Sequence, residues 1–154
     1  MRLIAAIFLL CLSMLASAGE SLVSMTYEHT TRIPHSRVEV VIDVKGAVTA
    51  ETESRGKDKK ASKIQLSPEE VENLSRQLDA LDWQKISADK TRGLDGTSVR
   101  ITSGKHTASL WSPDYDSNKR GLVQIQKLIE NIFDAAELDP TGMPKKKAES
   151  GPRE

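Results

Sequence analysis

The sequence predicts an α+β domain: one antiparallel sheet of about five to six strands, with two amphipathic helices packed on one face in the order βββ(β)αββα. Three observations carry that prediction. Early segments alternate apolar and polar residues, as half-buried strands do. Two later segments repeat apolar residues at spacings of three and four, as helices do. The connections are short, which favours antiparallel neighbours.

The first strand covers residues 21–29, with Val23, Met25 and Tyr27 on one side and Ser24, Thr26 and Glu28 on the other. Residues 37–44 alternate more clearly: Val38, Val40, Ile42 and Val44 face one way, Arg37, Glu39 and Asp43 the other, and Val41 is the apolar exception. Lys45-Gly46 then supplies a tight turn, because glycine takes positive φ without steric penalty, and residues 47–53 return as a third strand. The charged stretch RGKDKKASK interrupts before Ile64 and Leu66 mark a short fourth strand.

Ser67-Pro68-Glu69-Glu70 is the strongest local signal. Ser67 and Glu70 form a capping box and Pro68 suits the first helical position, so a helix starts here. Val71, Leu74, Leu78 and Leu81 give it one apolar face, and Trp83 and Ile86 cover its exit. The polar connection SADKTRGLDG leads to a strand at residues 97–102, a turn at Ser103-Gly104 and a returning strand at residues 106–111, which Pro113 ends. From about Lys119, the residues Leu122, Ile125, Leu128, Ile129, Ile132 and Phe133 mark the second helix, closed by Asp139-Pro140.

The chain ends divide differently. Residues 1–18, MRLIAAIFLLCLSMLASA, read as an export signal: one arginine, an apolar run too short to span a bilayer, and Ala16 and Ala18 at the cleavage spacing. Cys11 lies inside that apolar run, which is not a lipid-attachment pattern. Residues 19–138 form the single domain. Residues 139–154, rich in proline and glycine and carrying Lys145-Lys146-Lys147, read as a disordered, solvated tail.

Removal of residues 1–18 removes the single cysteine and leaves one more acidic than basic residue. A thiol-free domain has no disulfide framework, no cysteine-ligated metal and no thiol catalysis, and it points to the bacterial periplasm or medium. Near-neutral charge gives no electrostatic reason for a nucleic-acid or anionic-membrane partner.

The segments IDVKGAV, LSPEEVENL, ALDWQKI, LDGTSVRI and LWSPDYD together resemble the layout of small bacterial exported or lipid-anchored domains of unknown function, over about residues 23–138. The resemblance implies the fold and an extracytoplasmic location. It supplies no catalytic residue, cofactor or partner, and the paired cysteines that some such domains carry in the first hairpin are missing here.

Chemistry-bearing patterns are sparse. His29, His35 and His106 have no helical pairing, and neither a GxSxG nor an SxxK serine motif nor a phosphate-binding glycine loop occurs. A small exported hydrolase would have to join two or more of His29, His35, His106, Glu28 and Asp95 in one pocket. Asp114, Asp116 and Asn118 alternate as in a calcium loop, but counting from Asp114 puts Lys119 and Ile125 where such a loop needs glycine and glutamate. Those three residues are therefore the lesser, metal-binding alternative; Asp116, Ser117 or Asn118 serves as an N-cap of the second helix, and Asp114 and Asp116 sit favourably near its N-terminus.

The remaining expectation is a non-catalytic, cofactor-free interaction domain of the envelope, of inhibitor or immunity type. Its partner is another envelope protein, met through a sheet edge, the polar sheet face, or the loop surface carrying Trp111 and Tyr115. Trp111 as a cap on the core is the competing account of the same residue.

Overall fold

A computed structural model of the chain describes residues 20–29, 36–54 and 57–145. The export-signal segment, His35, Lys146 and the rest of the predicted tail lie outside the described residues. Six strands form one antiparallel sheet in the order β4-β3-β2-β1-β5-β6. They are β1 (Ser21–His29), β2 (Ser36–Asp43), β3 (Ala47–Ser54), β4 (Lys60–Gln65), β5 (Thr97–Ser103) and β6 (His106–Trp111). Among the described residues, two long helices, α1 (Pro68–Asp79) and α4 (Val123–Ala135), and two short ones, α2 (Trp83–Ser87) and α3 (Ser117–Arg120), complete the α+β fold.

Strand alternation decides which face is buried. Val23, Met25, Val38, Val40, Ile42, Val99 and Ile101 are almost inaccessible and pack beneath Leu74, Leu78, Ile125, Leu128 and Ile132 of the helices. The other face carries Glu28, Arg37, Glu39, Glu51 and Arg100, none of them buried. Burying that set would strand charges away from water, so both helices share the first face. No helix among the described residues is long and apolar enough to cross a membrane.

Local signals explain the joints. At the β2–β3 turn, the Asp43 carboxylate accepts from the Lys45 and Ala47 amides, both at 2.8 Å. Gly46 takes φ 84°, and a Cβ there would fall 2.7 Å from a methyl of Val71, so the turn tucks under α1. The capping box forms as predicted: the Ser67 amide donates to Glu70 Oε2 at 2.7 Å, and the Glu70 amide donates to Ser67 Oγ at 3.3 Å.

The second long helix departs from expectation at both ends. It does not run continuously from Lys119: α3 ends at Arg120, and Gly121 after it takes a left-handed φ of 70° that disfavours any side chain, with the flexible end of Lys85 lying over it. Fully buried Leu122 then precedes α4. At its far end α4 closes before Asp139-Pro140. The Leu138 amide bonds back to the Phe133 carbonyl and the Glu137 amide to that of Asp134, with Glu137 in the left-handed region at φ 53°. This is the Schellman arrangement, with glutamate in the place that glycine usually takes.

Residues 139–145, predicted as the start of the disordered tail, belong to the folded body. Asp139 accepts from the amides of Thr141 and Met143 at 2.8 and 3.0 Å and from the Thr141 hydroxyl at 2.6 Å. Leu138 bridges to Pro144, and Gly142 lies against Thr52 and Val38. An aspartate that gathers the amides two and four residues on makes a turn out of a proline- and glycine-rich sequence.

Candidate docking surface at the Trp111 corner

The corner is built where β6 ends. Trp111 pairs with Ser98, and the same row continues through Glu28 and Arg37 to Glu53, so its side chain leaves on the polar face of the sheet. It is half-buried, and the cover comes from the β5-proximal loop. A Cβ on Gly93 would fall 2.1 Å from Cζ2 of the indole, and one on Gly96 2.9 Å from its nitrogen. Two glycines therefore let the backbone lie directly on the ring.

After Trp111 the chain turns sharply. Ser112 is buried at φ 35°; its amide donates to the Thr97 carbonyl at 2.7 Å, and its hydroxyl accepts from the Thr97 amide at 3.0 Å. Tyr115 follows on the outside. It is 62% exposed and meets Trp111 edge to face, with centroids 5.9 Å apart.

Arg120 fixes this geometry. Its Nη1 donates to the carbonyls of Ser112 and Tyr115, both at 2.7 Å, and Nη2 donates to the Trp111 carbonyl at 2.8 Å and to Asp89 Oδ2 at 2.7 Å. Nε completes the fork toward Asp89 Oδ1 at 3.4 Å. Each guanidinium N–H thus has an acceptor, which suits arginine's planar array and not lysine's point charge. The hydrogen bond from Arg120 holds the Asp89 carboxyl below the usual carboxylate range, against the upward push of burial and with help from the Thr91 hydroxyl.

The residues singled out from the sequence divide clearly. Trp111 and Tyr115 are in contact, and Trp111 sits on the polar face beneath a loop and not among the helix-side core residues. Asp114 is exposed on the same loop and Asn118 is exposed on α3, while the Asp116 carboxylate pairs with Lys119 Nζ at 3.2 Å. Asp116 precedes α3 in a left-handed conformation and makes no side-chain capping bond, contrary to the predicted N-cap role. Among the described residues, no three acidic, histidine or cysteine side chains gather into a metal-binding group.

The hydrolase set does not converge. Glu28 lies on the polar face in an ion pair with Arg37 at 3.4 Å. His29 lies on the helix side with its Nε2 3.1 Å from the Pro140 carbonyl oxygen. His106 stacks on Trp83, centroids 5.3 Å apart, at the opposite end of β5 and β6. The register separates the two histidines by roughly 20 Å along the strand direction. Asp95 is exposed in the loop over Trp111, and His35 lies outside the described residues.

The sheet edges are covered or guarded. On β6 the Ser87 hydroxyl donates to the Thr107 carbonyl at 3.1 Å and Arg120 occupies the Trp111 carbonyl. β4 exposes Lys60 and Lys63. Lysines and a covered backbone are the usual means of discouraging strand addition, so the loop surface is the better candidate.

Three contributors were not singled out from the sequence. Asp89 and Arg120 meet across 31 positions with no periodicity to announce them. Leu94, between Gly93 and Asp95, is 97% exposed at the tip of the loop that covers Trp111. Its signal was an apolar residue alone in a polar, glycine-bounded connection. Comparison with protein-family models and with curated proteins gives no match.

Proposed function

We propose that this chain is an exported, non-catalytic interaction domain of the bacterial envelope, and that it docks on a partner protein through the Trp111 corner. The observation that carries the reading is the use of a shielded ion pair to shape an irregular loop. Arg120 spends its donors on three loop carbonyls and Asp89, and the product is a solvent-facing Tyr115 braced against Trp111.

A surface held ready in this way loses little conformational freedom on binding. Aromatic side chains next to polar backbone are frequent anchors of interfaces, and Leu94 extends the apolar contact. An inhibitor or immunity-type partner is the concrete form. The export-type N-terminal sequence and the lack of cysteine after Cys11 support the location.

Immobilised wild type and Tyr115→Ala are exposed to the same envelope extract. The proposal expects one protein recovered by wild type and depleted with Tyr115→Ala, while both proteins melt at the same temperature. Equal recovery of that protein refutes the assignment of Tyr115 as an anchor.

A further inference from the structure

Away from the Trp111 corner, α1 and α4 lie side by side and leave a groove. Glu70 and Asp134 line one end of it and Ala80 and Gln124 the other, so the helices run antiparallel. Two adjoining hollows of about 390 and 200 Å³ share Asn73, Gln77 and Asn131. The larger hollow, about 390 Å³, reaches the size of sites for small ligands, and the smaller one adjoins it.

The walls are rich in carboxamides. Asn131 Nδ2 donates to Gln77 Oε1 at 2.6 Å, and Gln77 Nε2 donates to Asn73 Oδ1 at 3.3 Å, so a hydrogen-bonded chain crosses from one helix to the other. The chain leaves a donor on Asn73 and an acceptor on Asn131, and Gln124 adds one of each. A row of groups that both donate and accept fits a ligand that alternates N–H and C=O, as a peptide main chain does.

Spacing favours the same ligand. Lys127 and Asn131, like Asn73 and Gln77, are one turn apart, about 6 Å along the axis. Groups on one side of an extended peptide recur at about 6.6 Å. From Gln124 to Asp134 the groove runs about 15 Å, the length of roughly four extended residues.

Charge sets the polarity. Asp134 stands at one end and Lys127 lies roughly 10 Å nearer the other. The chain itself shows what the acidic end accepts, because the Lys145 ammonium pairs with Asp134. No aromatic side chain lines either hollow, so the ring stacking that favours a saccharide is missing.

We infer that the α1–α4 groove binds a short extended peptide with a basic side chain toward Asp134 and a carboxylate toward Lys127. This site is separate from the Trp111 corner and does not depend on that reading.

The test is calorimetric titration of the full chain with acetyl-Lys-Ala-Glu-Ala-amide, whose charged side chains share one face of an extended chain, the reversed acetyl-Ala-Glu-Ala-Lys-amide, and acetyl-tetraalanine-amide. One charged peptide binds saturably, and tetraalanine binds at least about tenfold more weakly. Asn131→Leu abolishes binding. Because that change also touches the helix seam, two variants at outward positions carry the decision: Gln124→Ala weakens binding several-fold, and Lys145→Ala strengthens it several-fold by releasing Asp134. Tyr115→Ala leaves it unchanged. The inference is overturned if no peptide binds at millimolar concentration, if Gln124→Ala and Lys145→Ala have no effect, or if chitotriose displaces the peptide and so marks a saccharide site.

Discussion

The guanidinium of Arg120 meets the carboxylate of Asp89 at 2.7 Å, with side chains only 10% and 9% exposed, and so joins the connection after α2 to the loop after β6. Asp89 lies in an irregular connection, and Arg120 is the last residue of the four-residue helix α3. The backbone pairing of β5 and β6 runs to Ser112, and beyond it the three carbonyls bound by Arg120 make the pair the organiser of the corner.

Removing one partner leaves the other charge shielded and alone. Arg120→Leu is expected to lower stability by about 3–5 kcal/mol, measured by urea denaturation. Arg120→Lys keeps the charge but loses the planar fork, and should still lose about 1.5–3 kcal/mol. A lysine variant as stable as wild type would mean that the fork geometry does not matter.

Three carboxylates are held below the ordinary range: Glu70, by its hydrogen bonds with Ser67 at the exposed start of α1, and the more shielded Asp89 and Asp139, through which acid should chiefly act. Arg120 holds Asp89 below the ordinary range. For Asp139, burial pushes upward but is outweighed by the Thr141 hydroxyl and the amides of Met143 and Thr141, so it too is depressed. A depressed folded value means that the unfolded chain takes up the proton first. The stabilisation is fully present above the unfolded value of about 3.9 and is lost as pH falls through the folded values. Melting temperature should stay level down to about pH 5 and drop below about pH 4. Asp89→Asn should melt lower at neutral pH and show a shallower acid slope; an unchanged slope would remove Asp89 from the account.

Gly93 tests the cover over Trp111. A methyl group there would overlap the indole, so Gly93→Ala must push the loop or the ring aside. The expected result is a loss of about 1–3 kcal/mol with a red-shifted tryptophan emission.

Ser67→Ala removes the acceptor for the Glu70 amide and should cost about 1 kcal/mol in thermal denaturation. No loss would show that the Glu70 carboxylate, which also takes the Ser67 amide, is sufficient to start α1.

What the sequence made legible was what is local. Alternation along Ser21–His29 and Arg37, Val38, Glu39 and Val40 assigned both strands and the buried face, because a period of two leaves little choice. Ser67, Pro68 and Glu70 placed the start of α1 because the capping box joins residues only three apart. The break at Gly121, the closure at Glu137 and the Asp139 turn depend on dihedral angles that the apolar pattern does not encode. At the corner, Trp111 and Tyr115 were visible as an aromatic pair beside a polar loop. Asp89 and Arg120 were not, since charged residues in polar connections look alike until the fold brings two of them out of water.

The central claim is that Leu94 and Tyr115 form a docking surface at the Trp111 corner. The most direct measurement is the dissociation constant of the partner captured by wild type for Leu94→Ser, Tyr115→Ala and the control Thr107→Ala on the same sheet face. The account predicts at least about tenfold weaker binding, or about 1.4 kcal/mol, for the first two and none for the control, with all melting temperatures alike. Equal affinity across the four proteins would contradict it and place the interaction elsewhere.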